Sequence, residues 1–168
     1  VLNDLDEAAR IYLDCIKYAR DNQIKYNSKL RLIDLMIAKG ELTNSIELIN
    51  NYINECESIE QCNVLRIKKL QIDFFANNTN TLDSIPSILS DMDRDDPLYN
   101  DLLDIQSLIL SFKNNPDALK QFSEIQLLKF QNKRTQAINQ LINMNIEASN
   151  YMINDIIISE LSYLLILQ

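Results

Sequence analysis

The stretch from Leu127 to Ile138, LLKFQNKRTQAI, ends an apolar helix, turns through a short polar segment and restarts with a small residue, Ala137. The same phrase stands at Leu35 to Ile46, LMIAKGELTNSI, with Gly40 where the later copy has Asn132 and Ser45 where it has Ala137. A third, blurred form lies at Asn3 to Ala9, where Ala8 holds the small position and no helix comes before the turn. Helix, fixed turn and helix, repeated along a chain, is the pattern of a helical solenoid, whose units bury their apolar faces only against one another. Such proteins act through surfaces more than pockets, so the pattern points to binding without naming the ligand.

Composition agrees with an all-α fold. The chain has 168 residues with 46% hydrophobic content, enough for one domain with a continuous core. Its single Gly, Gly40, and three Pro, Pro86, Pro97 and Pro116, leave little to supply hairpin turns. Apolar residues recur every three to four positions, the period of an amphipathic helix. Start and stop signals divide the chain into about nine antiparallel helices, which a right-handed alpha-alpha superhelix would accommodate. The expected helices run Asp4–Asp21, Tyr26–Lys39, a third capped by Thr43 or Asn44, Glu60–Ala76, Leu82–Met92, Pro97–Phe112, Pro116–Phe130, Lys133–Met144 and Ala148 to the end. Pro86 is tolerable only in a first turn, and Asp96–Pro97 and Asn115–Pro116 read as helix starts. The middle is irregular: either Leu82–Met92 is a degenerate second helix or an extra helix is inserted there.

The net charge of −8 reads as spread over all segments with Lys and Arg interleaved, so no basic face invites nucleic acid. Asp91 to Asp96, DMDRDD, lacks the Gly and closing Glu of an EF-hand and reads as a solvated turn. There is no His, which removes triads, His-ligated zinc and most general-base catalysis. No Gly-rich phosphate loop is present, and Glu47, Asp73 and Glu160 lie on different helices, so neither an enzyme nor a cofactor or metal is expected. Cys15, beside Ile11 and Ile16, reads as a small buried hydrophobe. Cys56 and Cys62 flank the turn ESIEQ, close enough for a disulfide or for two reduced thiols, and the odd cysteine count favours reduced thiols.

The chain opens at Val1 inside a helical pattern and stops at Gln168 where another turn is due, which reads as a fragment of a longer solenoid. Ile156 to Leu167, IIISELSYLLIL, is apolar nearly all round but short and broken by Ser159, Glu160 and Ser162, so it suits a helix covered on both sides better than a membrane span. An uncovered face on it would suit a second copy of the chain and so a homo-oligomer.

The residues that recur resemble the tetratricopeptide-repeat family, whose second helix carries a small residue near its start and a large one a turn later. Ala8 with Tyr12 and Cys15, Ser45 with Ile49 and Tyr52, and Ala137 with Leu141 and Met144 stand in those roles, with Gly40 and Asn132 in the turns. In the first helices, Leu32, Ile33, Met36 and Glu124, Ile125, Leu128 stand where the family prefers a large residue, a small one and Tyr, so the small one is missing. From Tyr99 onward the chain looks like the later repeats of large bacterial proteins of this family. That likeness implies a longer parent, cytoplasmic or exported to the periplasm.

The resemblance implies a concave face that takes a peptide or partner helix. The family's carboxylate clamp needs Lys, Asn, Asn, Lys and Arg, and it is absent. The inner positions hold Asn27, Leu30, Asp34 and Ile37 in one first helix, and Leu119, Phe122, Gln126 and Lys129 in another. An apolar, amide-lined groove suits an extended segment, its amides bonding the partner's backbone. The same Leu30 and Phe122 read equally well as core. A helical-repeat subunit of a larger complex, of the proteasome-lid kind, is the nearest rival within the binding class.

Overall fold

A computed structural model describes residues 2–78, 82–147 and 151–166, and among them every regular element is a helix. There are nine: α1 (Leu2–Tyr18), α2 (Asn22–Lys39), α3 (Leu42–Asn54), α4 (Ile59–Phe75), α5 (Ile85–Asp91), α6 (Pro97–Ser111), α7 (Pro116–Phe130), α8 (Arg134–Glu147) and α9 (Tyr151–Ile166). The chain forms two compact units, Val1–Ile72 and Asp73–Gln168.

Local chemistry explains where the helices start. Asp21 caps α2, its carboxylate accepting from the backbone N–H of Gln23 at 2.7 Å and of Ile24 at 3.4 Å. The helix therefore opens at Asn22, ahead of the expected Tyr26, and α1 stops at Tyr18 because Asp21 belongs to the next element. Asp96 and Asn115 cap α6 and α7 in the same way, accepting from Leu98 N at 2.9 Å and Ala118 N at 3.1 Å, and each is followed by Pro as the spacing predicts. Neither Thr43 nor Asn44 caps α3. That helix begins at Leu42 with Glu41 in the cap position and no side-chain bond there, while Ser45 Oγ donates back to the Glu41 carbonyl at 2.8 Å. α5 starts at Ile85, three residues past the expected Leu82, which leaves Pro86 in the first turn where its missing N–H costs nothing. The expected ninth start, Ala148, lies outside the described residues.

Three helices end in the same device. Gly40 has φ 83°, its N–H bonds Ile37 O at 2.9 Å and the next N–H bonds Met36 O at 2.9 Å. Asn132 repeats it at φ 58°, with bonds to Lys129 O and from Lys133 N to Leu128 O, both 2.9 Å. Asn77, at φ 54°, closes α4 likewise, with bonds of 3.0 Å to Phe74 O and 2.8 Å from Asn78 N to Asp73 O. This is the paired-bond C-cap that a left-handed residue makes possible, and Gly and Asn are the residues that enter that region at least cost. The third copy was not expected from the sequence.

In the first unit the core is built from Leu32, Ile33, Leu35 and Ile37 of α2, Ile49 and Tyr52 of α3, and Leu65 and Leu70 of α4. Ser45 is wholly buried five residues after Gly40, where a small side chain lets two helices approach closely. α1 packs on α2, and Lys39 at the end of α2 ties them by a bond to Asp6 at 2.9 Å while also bonding Glu41 in the following turn at 2.8 Å. Ala8, Tyr12 and Cys15 on α1 are half-buried rather than core, so Cys15 is not the fully enclosed hydrophobe its neighbours suggested. Cys56 and Cys62 form a disulfide across the α3–α4 turn, their Cα atoms 5.5 Å apart. The expectation of reduced thiols is thereby corrected: the turn brings the pair within bridging distance, which an odd total does not forbid.

In the second unit Ala137, Leu141 and Met144 of α8 are buried, as are Phe122 and Ile125 of α7, with Ala137 five residues after Asn132 as Ser45 is after Gly40. Phe112 at the end of α6 stacks on Phe122, ring centroids 5.2 Å apart. Phe75, in the last turn of α4, meets Phe130 at the end of α7 at 5.8 Å. The ends of α4 and α7 are therefore neighbours, although α5 and α6 lie between them in sequence. α9 buries Ile153, Ile157 and Leu164 but leaves Ile158, Tyr163, Leu165 and Ile166 exposed, so it is covered on one side and not on both.

Candidate functional site

The eight residues expected to line a groove fall in different units and in different settings, and Leu119 of the second unit is buried in the core. In the first unit Asn27 is exposed and accepts from Gln23 Nε2 at 3.0 Å, Leu30 is half-buried, and Ile37 is fully buried. Asp34 accepts from Lys68 Nζ at 2.7 Å, 34 residues away, and lies 3.6 Å from Arg31. In the second unit Phe122 is 2% exposed, Gln126 is half-buried, and Lys129 is paired with Glu160, 31 residues on, and sits 6.0 Å over the Tyr163 ring. Ile37 and Phe122 thus serve the core, and Asp34 and Lys129 tie each first helix to the helix that follows its hairpin. Asn27, Leu30 and Gln126 remain in reach of a partner.

Three surface concavities lie beside other residues. In the first unit a small cleft forms beside the disulfide, where Tyr26 and Lys29 of α2 face Tyr52, Glu55 and Gln61. Lys29 Nζ bonds Glu55 at 2.9 Å and lies 4.6 Å from the Tyr52 ring centroid, and the Tyr26 hydroxyl donates to Gln61 O at 3.3 Å. Burial pushes the Tyr26 phenol above its ordinary pKa; burial and then the Glu55 charge do the same to Tyr52. Lys39 is also raised, chiefly by its hydrogen bond to Glu41 and then by that to Asp6.

In the second unit Gln121, Glu124, Gln140 and Asn143 surround Ile125 and Met144 in a groove of about 260 Å3 between α7 and α8. A larger cleft of about 380 Å3 lies between α5 and α6, lined by Leu89, Met92, Arg94, Tyr99 and Leu103 among others. Side-chain amides over an aliphatic floor can bond an extended backbone while burying its side chains.

The three carboxylates singled out in the sequence, Glu47, Asp73 and Glu160, have separate settings. Asp73 is buried but accepts from Asn78 Nδ2 at 3.1 Å, inside the cap of α4. Glu160 is held by Lys129 and Glu47 is exposed on α3. Among the described residues no group of three or more His, Cys, Asp or Glu could hold a metal ion, and no helix is long and apolar enough to cross a membrane. Sequence reasoning missed the α5–α6 cleft and the Asn77 cap. An Asn-Asn pair after an apolar helix end was the available signal for the cap.

Comparison with protein-family models, with curated proteins and with solved structures finds no match for this chain.

Proposed function

We propose that this chain is a non-catalytic scaffold of tetratricopeptide-like helical hairpins that holds a protein segment along its helical surface. One observation carries the reading: the helix terminators at Gly40 and Asn132 share one bonding pattern, and each is followed at the same offset by a wholly buried small residue, Ser45 or Ala137. The links Asp34–Lys68 and Lys129–Glu160, 34 and 31 residues apart, support it, because a stacked hairpin repeat sets successive first helices side by side at that spacing. A right-handed superhelix follows from such stacking. Asn27, Leu30 and Gln126, with the amide groove of α7 and α8, are the proposed contact residues.

Affinity capture tests the reading with the chain immobilised, comparing wild type with a Leu30→Asp, Gln126→Asp double variant and a Gln121→Asp, Asn143→Asp double variant, each checked for fold by circular dichroism. Loss of a protein captured by the wild type, in a folded variant, supports it. A chain that retains nothing specifically, or whose partners ignore both variants, overturns it.

A second reading, self-association, is favoured by the exposed Ile158, Tyr163, Leu165 and Ile166 on α9. Sedimentation equilibrium decides it: concentration-dependent mass that an Ile158→Glu, Leu165→Glu variant abolishes is the expected result, and a monomer at all concentrations rejects it.

A further inference from the structure

Charge is more concentrated than its interleaving suggested. Between Ser90 and Ser111 stand Asp91, Asp93, Asp95, Asp96, Asp101 and Asp104 against Arg94 alone, so five of the eight net negative charges fall in one short segment. That segment contains most of the α5–α6 cleft. Along α6, Tyr99, Leu103, Gln106 and Leu110 succeed one another at helical offsets on a single stripe. The first three line the cleft, and Leu110 carries the stripe beyond it; Leu103 is 39% and Leu110 58% exposed. Asp93 and Asp95, both exposed, flank Arg94 in the loop that forms the cleft wall; Asp93 also accepts from the Asp95 backbone N–H at 3.1 Å, and Asp96 caps α6.

We propose that the α5–α6 cleft docks a cationic amphipathic protein segment, whose aliphatic or aromatic side chains enter between Leu89, Tyr99 and Leu103 while its Lys or Arg side chains face Asp93 and Asp95. An apolar cleft alone would accept any hydrophobe; the surrounding field selects. Among the described residues Arg94 is the one charged residue that lines the cleft, and it stands between two exposed carboxylates, Asp93 and Asp95, so this edge of the cleft is net negative. An anionic segment would be repelled everywhere except at Arg94 itself. The placement also fits. α5, α6 and the loop between them connect α4 to α7, whose ends touch, and connecting segments commonly carry binding surfaces. The site does not depend on the scaffold reading, since its lining comes from these two helices and the loop between them.

Fluorescence anisotropy with the whole chain tests it, using a labelled amphipathic Leu/Lys peptide and its Leu/Glu counterpart as probes. Saturable binding of the Leu/Lys peptide, weakened by salt, and none of the Leu/Glu peptide is expected. Removing two surface charges by Asp93→Asn with Asp95→Asn weakens it about fivefold. Leu103→Ser, which strips apolar contact from the cleft, weakens it about tenfold. Arg94→Gln tightens it, and a Glu47→Gln, Glu60→Gln pair in the other unit, which removes the same number of charges, leaves it unchanged. All these positions are exposed, so circular dichroism should show an intact fold. No binding overturns the proposal. So does binding that Leu103→Ser leaves untouched or that the Glu47→Gln, Glu60→Gln pair weakens equally, which is general charge attraction, and so does a preference for the Leu/Glu peptide lost in Arg94→Gln.

Discussion

Gly40, Asn77 and Asn132 hold left-handed backbone at φ 83°, 54° and 58°, and the stability cost of replacing them can be worked from that geometry. A side chain with a Cβ in that region meets the following carbonyl and loses about 1–2 kcal/mol relative to Gly. Gly40→Ala should therefore destabilise the first unit by about 1–2 kcal/mol, because the two cap bonds at 2.9 Å hold the residue there and leave it no relaxed alternative. Asn tolerates the region better than Ala does, so Asn77→Ala and Asn132→Ala should cost less, about 0.5–1 kcal/mol. Asn132→Gly should have the opposite sign and stabilise by about 0.5 kcal/mol. Two residues before Gly40 the backbone is helical, and there Ala38→Gly should cost about 1 kcal/mol. Urea denaturation monitored by far-ultraviolet circular dichroism reads these as shifts of midpoint at constant slope. A neutral Gly40→Ala, or a destabilising Asn132→Gly, would refute the reasoning, since neither is compatible with a left-handed residue closing the helix.

Ala137 is wholly buried at the α7–α8 crossing, so Ala137→Leu should cost about 1–3 kcal/mol in the same assay, whereas Ile142→Leu on the exposed face of α8 should be near neutral. The Asp34–Lys68 pair is about three-quarters buried on both sides, and a double-mutant cycle should return a coupling of about 0.5–1 kcal/mol that shrinks with added salt. In a spectrophotometric titration Tyr26 and Tyr52 should ionise above the ordinary phenol value of 10.0; because folding raises their pKa, the stability they contribute is complete below that value and is lost as pH rises above it. Reducing Cys56–Cys62, which closes a loop of sequence separation 6, should lower stability by about 2 kcal/mol, read as a lower urea midpoint in thiol reductant that a Cys56→Ser, Cys62→Ser variant no longer shows.

Features governed by one or two residues were legible in the sequence. Asp96–Pro97 and Asn115–Pro116 mark helix starts because the side chain and the fixed φ act locally, and Gly40 marks a helix end for the same reason. The start of α2 was hidden, because the polar stretch from Asp21 to Lys25 resembles a loop and only the Asp21 cap turns it into a first helical turn. Asn77 was hidden because Leu82 stands at the offset where Ser45 and Ala137 give the phrase its small residue. The disulfide depends on how far apart two helix ends come, which a cysteine count does not encode.

The candidate site was less legible than the fold. α2 buries Ser28, Leu32, Ile33, Leu35 and Ile37 around more than one face, so helical spacing alone could not separate a groove position such as Leu30 from a core position such as Ile37. Asp34 and Lys129 read as groove-facing charges, but their partners Lys68 and Glu160 lie a full hairpin away in sequence. The α5–α6 cleft lies between helices that carry no copy of the recurring phrase, so that phrase could not point to it.

Zero-length carbodiimide cross-linking with mass spectrometry tests the hairpin stacking most directly, since it joins only carboxylates and amines already in contact. Helices stacked one repeat apart should yield Asp34–Lys68 and Lys129–Glu160 cross-links alongside the local Lys39–Glu41 link. Recovery of the local link without either of the long-range pair, in folded protein, would contradict the side-by-side arrangement of successive first helices and with it the scaffold.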